Sequence, residues 1–193
     1  MKPFEFIMCI YIISFGAICT SSCTKVKRNV EADYIKFLSG QMAFPFDSTE
    51  VMYPSRSLQA SKKHPEVQLV FFFDHIGCTA CEISKLAEYE LEYMNSPTFE
   101  NVKFVYIVTV KSESKNKIYS MFCRYRIKGA LYIDTCNKFI QANPYFPLNP
   151  LFHTFMVDEN GRILIVGNPF TNNVIMNMWL DIKNKRNTIN SHR

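Results

Sequence analysis

Two cysteines three positions apart, Cys78 and Cys81, have the residue type and spacing best suited to chemistry in this sequence. They follow an apolar run over residues 67–73 and open a segment with helical spacing. The N-terminus of a helix presents unpaired N–H groups and the positive end of the helix dipole, so it favours a thiolate. Two intervening residues let the second thiol attack a mixed disulfide formed on the first. The pattern predicts dithiol–disulfide exchange, with Cys78 as nucleophile and Cys81 as resolving thiol.

Two other interpretations of this cysteine pair stay open. The pair could form a static structural disulfide, or it could bind a metal ion. A closed zinc site needs four ligands, of which the pair supplies two. The sequence holds no second pair of cysteines or histidines with matching spacing, so we expect no metal.

Two histidines are candidates for supporting roles near the thiols. His75 precedes Cys78 by three residues and could stabilise a thiolate or carry a proton. His153 is the stronger candidate if it lies in a loop that faces the motif. The alternative for His75 is an ordinary solvated side chain.

The N-terminal residues 1–22 have the features of a signal peptide. Their apolar stretch, Phe6–Ile18, is shorter than the roughly 20 residues that a membrane-spanning helix needs. The small polar residues 20–22 then precede Cys23, and this arrangement resembles a bacterial lipoprotein processing site. We therefore predict that Cys23 becomes the lipidated first residue of the mature chain; the alternative is simple cleavage without a lipid.

The remaining cysteines fit an oxidising compartment. The sequence has seven cysteines, of which two lie in the signal peptide and Cys23 carries the lipid. Disulfides persist after export, so Cys123 and Cys136 could form a second one beside the Cys78–Cys81 pair. The alternative, that Cys123 and Cys136 are small buried apolar side chains, stays open.

Composition bounds the class of protein. The mature chain suits one domain, and 48% hydrophobic residues are enough to build a core. The net charge is +5, but the basic residues are scattered and form no stripe interleaved with stacking aromatics. We therefore expect no nucleic-acid binding.

Hydrophobic spacing predicts the order β-α-β-α-β, then a β-hairpin, then a final helix. The alternation of strands and helices requires a parallel portion of sheet, and the hairpin, which turns at Asn160-Gly161, adds antiparallel strands. The predicted fold class is α/β, with a mixed central sheet flanked by helices. The predicted organisation is a signal peptide over 1–22, a lipidated tether and N-terminal extension over 23–66, a domain over 67–184 and a polar tail over 185–193.

This layout, with the cysteine pair directly after the first core strand, resembles the thioredoxin fold, and in particular thioredoxin-like envelope lipoproteins of Gram-negative bacteria. The likeness rests on three segments, residues 71–81, 152–163 and 165–169. Two departures stand out. Ile76-Gly77 precede Cys78 where the family usually has an aromatic residue, and the nearest proline to the family's cis-proline position is Pro150.

The resemblance implies a thiol–disulfide oxidoreductase of the bacterial cell envelope, anchored in the membrane and facing the periplasm. It implies no organic cofactor. Its partners would be protein thiols and disulfides and a separate redox protein. The alternative is a non-catalytic binding or assembly lipoprotein of the same fold, in which the Cys78–Cys81 pair is a structural disulfide.

Overall fold

The fold is built on one mixed β-sheet. A computed structural model describes residues 31–47, 51–54, 67–74, 80–94 and 96–191. Two compact units divide between Phe37 and Leu38, and the whole sheet belongs to the second. Residues 31–38 form a helix (α1), and its last residue, Leu38, is the first residue of the second unit. None of the helices among the described residues is long and apolar enough to cross a membrane.

The sheet has the strand order β1-β4-β3-β2-β5-β6. The strands are β1 (Val51–Met52), β2 (Val67–Phe73), β3 (Val102–Thr109), β4 (Ala130–Asp134), β5 (Thr154–Asp158) and β6 (Ile163–Val166). Strands β2, β3 and β4 are parallel, whereas β5 runs antiparallel to β2 and β6 antiparallel to β5. Strand β2 lies between β3 and β5, and a central strand of this kind is buried on both faces of the sheet. Its largely apolar sequence is explained by that position. The structure confirms the predicted mixed sheet with a terminal hairpin.

Helices follow the strands in the predicted order. They are α2 (Ala80–Tyr93), α3 (Lys115–Arg124), α4 (Lys138–Ala142) and α5 (Asn173–Ser191). Three of them, α2, α3 and α5, share one buried cluster with alternate residues of β2 and β3, among them Phe71 and Tyr106. These three helices therefore cover the same face of the sheet, which we call the helix face.

An aromatic cluster fills the space between the helix face and α5. Its centre is Phe170, whose ring lies 4.5 Å from that of Tyr93, 4.8 Å from Tyr89 and 5.2 Å from Phe99, measured between centroids. Trp179 of α5 is buried against Phe99 and donates from Nε1 to the carbonyl of Thr98 at 3.0 Å. These contacts fix α5 against the sheet.

The opposite face of the sheet has a second aromatic layer. Because side chains alternate along a strand, Phe72 points away from Phe71 and packs against Phe139 of α4 and Phe146. The carboxylate of Asp134 accepts hydrogen bonds from three backbone N–H groups at the start of α4. The buried side chain of Asn143 then joins the end of α4 to both backbone groups of Ala43.

The hairpin turns where Asn160-Gly161 predicted it. Asp158 Oδ1 accepts the N–H groups of Asn160 and Arg162, each at 2.9 Å. Gly161 has φ of 78°, and its carbonyl accepts a hydrogen bond from Met42 N at 2.7 Å. A Cβ on Gly161 would lie 2.3 Å from the Met42 carbonyl oxygen, so the turn needs glycine for both its backbone angle and this close approach.

Two features go beyond the predicted elements. Residues before Val67 join the sheet: β1 pairs with β4, and Gln41 forms a bridge with Arg162. The last helix also continues to Ser191, past the predicted start of a polar tail at 185. The predicted signal peptide and Cys23 lie outside the described residues, so those predictions and the domain boundaries remain predictions.

Candidate functional site

The cysteine motif is placed by the carboxyl end of β2 and the start of α2. Strand β2 ends at Phe73, and α2 begins at Ala80, so Cys81 lies in the first helical turn. Its side chain is exposed and its thiol is free. Ser84 Oγ donates to the carbonyl of Cys81 at 2.9 Å, which is a bond within the same helical turn. A reactant in solution can therefore reach the Cys81 sulfur.

Cys78 and His75 lie outside the described residues, as does the rest of the turn over residues 75–79. The structure gives the two ends of that turn, Asp74 and Ala80. The roles of Cys78 as nucleophile and His75 as its neighbour remain predictions.

His153 lies beside the carboxyl end of β2, directly before β5. Its carbonyl accepts a hydrogen bond from Phe72 N at 2.8 Å, which continues the β2–β5 pairing by one residue. Its ring meets Phe72 edge-on at 5.0 Å and stacks on Phe146 at 5.6 Å. These contacts lie on the sheet face opposite α2. The structure therefore brings the backbone of His153 to the end of β2 but places its ring away from the helix that carries Cys81.

The surroundings of the His153 ring favour its neutral form. Burial lowers its pKa below the usual 6.5, against the raising effects of the Asp74 charge and of a hydrogen bond to the Pro147 carbonyl. Nε2 is buried and has no hydrogen-bond partner among the described residues.

The segment before His153 contains no cis-proline. Among the described residues every peptide bond is trans. Pro150 begins a short 3-10 turn over Pro150–Phe152, in which Asn149 Oδ1 accepts the N–H of Leu151 at 3.1 Å. The backbone beside β2 is thus shaped by an asparagine-capped turn where the resembled family has a cis-proline.

The other two cysteines carry free thiols. Cys123 is half-buried in α3, and Cys136 is exposed just after β4. The second disulfide that the sequence allowed is therefore not formed in this structure. Within the described part of the chain no three His, Cys, Asp or Glu side chains are grouped to hold a metal ion.

Glu90 is a buried acid on α2 that sequence analysis missed. Its carboxylate accepts hydrogen bonds from Tyr106 Oη at 2.8 Å, from Gly129 N at 2.7 Å and from Lys128 N. Burial raises its pKa above the usual 4.5, although these hydrogen bonds and the Lys128 charge oppose the shift. Glu90 therefore joins the cysteine-bearing helix to β3 and to the turn before β4. The signal for it was the spacing 83-86-90, which puts residue 90 on the apolar stripe of α2.

No protein-family model matches the sequence, and no curated protein is similar to it. Solved structures do resemble the chain. One is a thioredoxin-like protein from Porphyromonas gingivalis, with 17% identity and a TM-score of 0.43 over 68% of this chain and 80% of that one. Another is the thioredoxin domain of a thiol-disulfide oxidoreductase from Bacteroides vulgatus, with 17% identity and a TM-score of 0.41 over 53% of this chain and 70% of that one.

A third similar structure is AhpC from Mycobacterium tuberculosis, with 17% identity and a TM-score of 0.40 over 63% of this chain and 71% of that one. Similarity at this level carries no information about activity. The sheet itself has three parallel strands and an antiparallel hairpin beside the first of them, and six residues separate that first strand from the helix that follows it. With this mixed sheet and its flanking helices, the chain has the thioredoxin-like α/β fold.

Proposed function

We propose that this protein carries out dithiol–disulfide exchange through Cys78 and Cys81. The observation that supports the proposal is the position of Cys81: an exposed, free thiol in the first turn of α2, the helix that follows a central strand. Backbone N–H groups without helical partners lie at this end of the helix and stabilise a nearby thiolate.

The reaction proceeds by two displacements. The Cys78 thiolate attacks one sulfur of a substrate disulfide, and the other substrate sulfur leaves as a thiolate. The Cys81 thiolate then attacks the Cys78 sulfur, which releases the second substrate thiolate and leaves a Cys78–Cys81 disulfide. A separate dithiol must reduce that disulfide for another turnover. The proposed substrates and the proposed redox partner in the cell are both proteins, and no organic cofactor takes part.

The proposed location is the cell envelope of a Gram-negative bacterium, with a lipid on Cys23 as the anchor and the domain facing the periplasm. This placement is supported by the apolar stretch and the small residues before Cys23. Metabolic labelling with a fatty acid tests it: the wild-type chain should incorporate the label, and Cys23→Ser should not. Incorporation by both chains, or by neither, contradicts lipidation at Cys23.

Redox titration with differential alkylation tests the exchange reaction. The Cys78–Cys81 pair should titrate reversibly between about −270 and about −120 mV, the range of exchange proteins. Reduction of a protein disulfide by dithiothreitol should be accelerated by the wild-type protein and not by Cys78→Ser. Cys123→Ser and Cys136→Ser are matched controls and should retain the activity.

The same titration tests the alternative, a binding or assembly lipoprotein with a structural disulfide. A structural disulfide has a reduction potential below about −300 mV. If the Cys78–Cys81 pair has such a potential, and the protein does not accelerate disulfide reduction, exchange is rejected and that alternative is favoured.

A further inference from the structure

We propose that an apolar ridge on residues 144–152 inserts into the surface of the bilayer to which the chain is anchored. The ridge consists of three exposed side chains, Tyr145, Leu148 and Leu151. They lie in the segment that joins α4 to β5. The inference rests on the proposed lipid anchor at Cys23 and does not depend on the exchange reaction.

The apolar ridge follows from a repeat of three residues. Proline occupies every third position from 144 to 150, and each proline is followed by one member of the ridge. The residue after each ridge member turns inward: Phe146 and Phe152 are buried, and Asn149 is half-buried. The segment ends in a 3-10 turn, which has three residues per turn and places positions i and i+3 on one side. The exposed apolar side chains therefore recur on the outward side of the segment.

Inward contacts hold this segment firmly against the sheet. The Phe146 ring lies 4.9 Å from Phe72, 5.2 Å from Phe139 and 5.8 Å from Phe155, measured between centroids. Asn149 accepts one backbone N–H with its side chain and another with its carbonyl. The apolar ridge is thus presented by a fixed backbone, and its insertion does not require the segment to become ordered first.

The composition of the segment fits a lipid surface. Residues 139–152 contain no charged side chain. A charge inside a bilayer is costly, whereas leucine enters hydrocarbon favourably and tyrosine favours the boundary between lipid and water. The nearest charged residue before the segment is Lys138, and a cation beside an inserted segment is attracted to anionic headgroups. Exposed apolar side chains grouped in this way mark a contact surface, and their chemistry here matches lipid.

The length of chain after the anchor makes this contact available. The residues between Cys23 and the start of α1 at residue 31 span at most about 29 Å, even when fully extended. Helix α1 adds about 10 Å before Leu38, the first residue of the second unit. The start of the second unit therefore stays within about 40 Å of the bilayer surface. Because the anchor keeps the local concentration of lipid high, a contact by three side chains is enough to persist.

The apolar ridge lies at the end of the sheet that carries the cysteine motif. Leu151 is two residues before His153, whose carbonyl pairs with Phe72 N near the end of β2. Helix α2, which bears Cys81, begins after the same end of β2. Insertion of the ridge would turn this end of the sheet towards the bilayer. Exposed Leu91, about 15 Å along α2 from Cys81, would lie farther from the lipid.

Lipid photolabelling of the full-length protein tests the proposal. The protein is incorporated into vesicles of phosphatidylethanolamine and phosphatidylglycerol that contain a phospholipid with a diazirine on its acyl chain. After irradiation, mass spectrometry of the digested protein locates the label. In the wild type, residues 144–152 should carry more label than the peptide that contains Leu91. Label on residues 144–152 that is no higher than label at Leu91 overturns the proposal.

A triple variant and a matched control show whether the apolar ridge causes the labelling. Tyr145→Ser, Leu148→Ser and Leu151→Ser together should lower the label on residues 144–152 by about tenfold or more, because burying even one leucine side chain favours the buried state by about that factor. Leu91→Ser should leave that label unchanged, although Leu91 and Leu148 are each 79% exposed. Equal labelling of the segment in the wild type and the triple variant also overturns the proposal.

Two further measurements separate this inference from the proposed function. The triple variant should reduce a soluble protein disulfide in detergent as fast as the wild type does. If its reaction slows and the wild-type segment takes no lipid label, the apolar ridge binds protein substrates and not lipid, and the proposal is overturned. Fatty-acid labelling of Cys23 is measured on its own, and the photolabel is read whether or not Cys23 carries a lipid. Failure of the anchor or of exchange is therefore distinguishable from failure of the ridge to insert.

Discussion

Removal of the buried Glu90 carboxylate should destabilise the protein more than any single change at an exposed or half-buried position of α2. Glu90 is 3% exposed and accepts hydrogen bonds from Tyr106, Lys128 and Gly129. Two of the three donors, the Tyr106 hydroxyl and the Gly129 N–H, are in buried hydrogen bonds. Water cannot easily replace the carboxylate as their acceptor, so its loss leaves both unsatisfied.

The expected magnitude follows from those two donors. A buried donor without an acceptor costs about 1–3 kcal/mol, so Glu90→Ala should lower the free energy of unfolding by about 2–6 kcal/mol. A domain of ordinary stability has about 5–15 kcal/mol in total. Glu90→Gln should cost less, about 1–3 kcal/mol, because its amide oxygen still accepts while its NH₂ group faces a donor.

Urea unfolding followed by tryptophan fluorescence measures this effect. Trp179 is the only tryptophan and is buried, so its emission reports loss of the core. Glu88→Ala is a matched control, since Glu88 is an exposed acid on the same helix; it should change stability by no more than about 0.5 kcal/mol. If Glu90→Ala costs no more than Glu88→Ala, the carboxylate does not hold α2 as we argue.

Stability should also depend on pH through Glu90. Burial raises its pKa above 4.5, so the folded state binds the proton more tightly than the unfolded state. This contribution is complete below pH 4.5 and is lost as pH rises through the folded value. The stability of the wild type minus that of Glu90→Gln should therefore decrease as pH rises over that interval. An increase would show that the hydrogen bonds to the carboxylate outweigh its burial.

Three other substitutions have expected costs that urea unfolding can check. Gly129→Ala should cost about 1–3 kcal/mol, because its Cβ would lie 2.6 Å from Tyr106 Cε2 and 2.8 Å from a backbone oxygen; a neutral result would mean that this turn can move. Phe99→Ala should cost about 3–5 kcal/mol, since Phe99 is fully buried in the aromatic cluster; Phe99→Leu should recover part of it. Asn143→Ala should cost about 1–2 kcal/mol, because it removes both hydrogen bonds to the backbone of Ala43. The same loss should speed proteolysis between residues 38 and 47, and unchanged proteolysis would contradict this prediction.

The sequence predicted the sheet because its strands are strongly patterned. The largely apolar run at Val67–Phe73 and the β-branched and aromatic residues of β3 indicated buried strands, and Asn160-Gly161 marked the hairpin. Strand β1 was not predictable, since two residues cannot show a period. Its place depends on pairing with β4, and such a contact between distant residues leaves no local pattern.

The site was harder to predict, and α2 shows why. Hydrophobic spacing along α2 favours Leu91 for the apolar stripe, but Leu91 is 79% exposed and Glu90 takes the buried position. Both lie close to the stripe, and only the donors at Tyr106 and Gly129, on other elements, decide between them. His153 is similar: the sequence left open whether it faces the cysteine motif, because the face on which its ring lies depends on the register of β5.

Glu90 should support the cysteine-bearing helix without tuning its chemistry. At about 1.5 Å per residue, Glu90 lies about 13 Å along α2 from Cys81. A unit charge at that distance, screened by salt, acts with about 0.1–0.4 kcal/mol. Since about 30 mV corresponds to 1.4 kcal/mol, Glu90→Gln should shift the potential of the Cys78–Cys81 pair by less than about 10 mV, provided that Trp179 fluorescence shows the variant folded. A shift of about 30 mV or more would mean that the Glu90 hydrogen bonds set the geometry of the cysteine turn, so that stability and redox chemistry are coupled through α2.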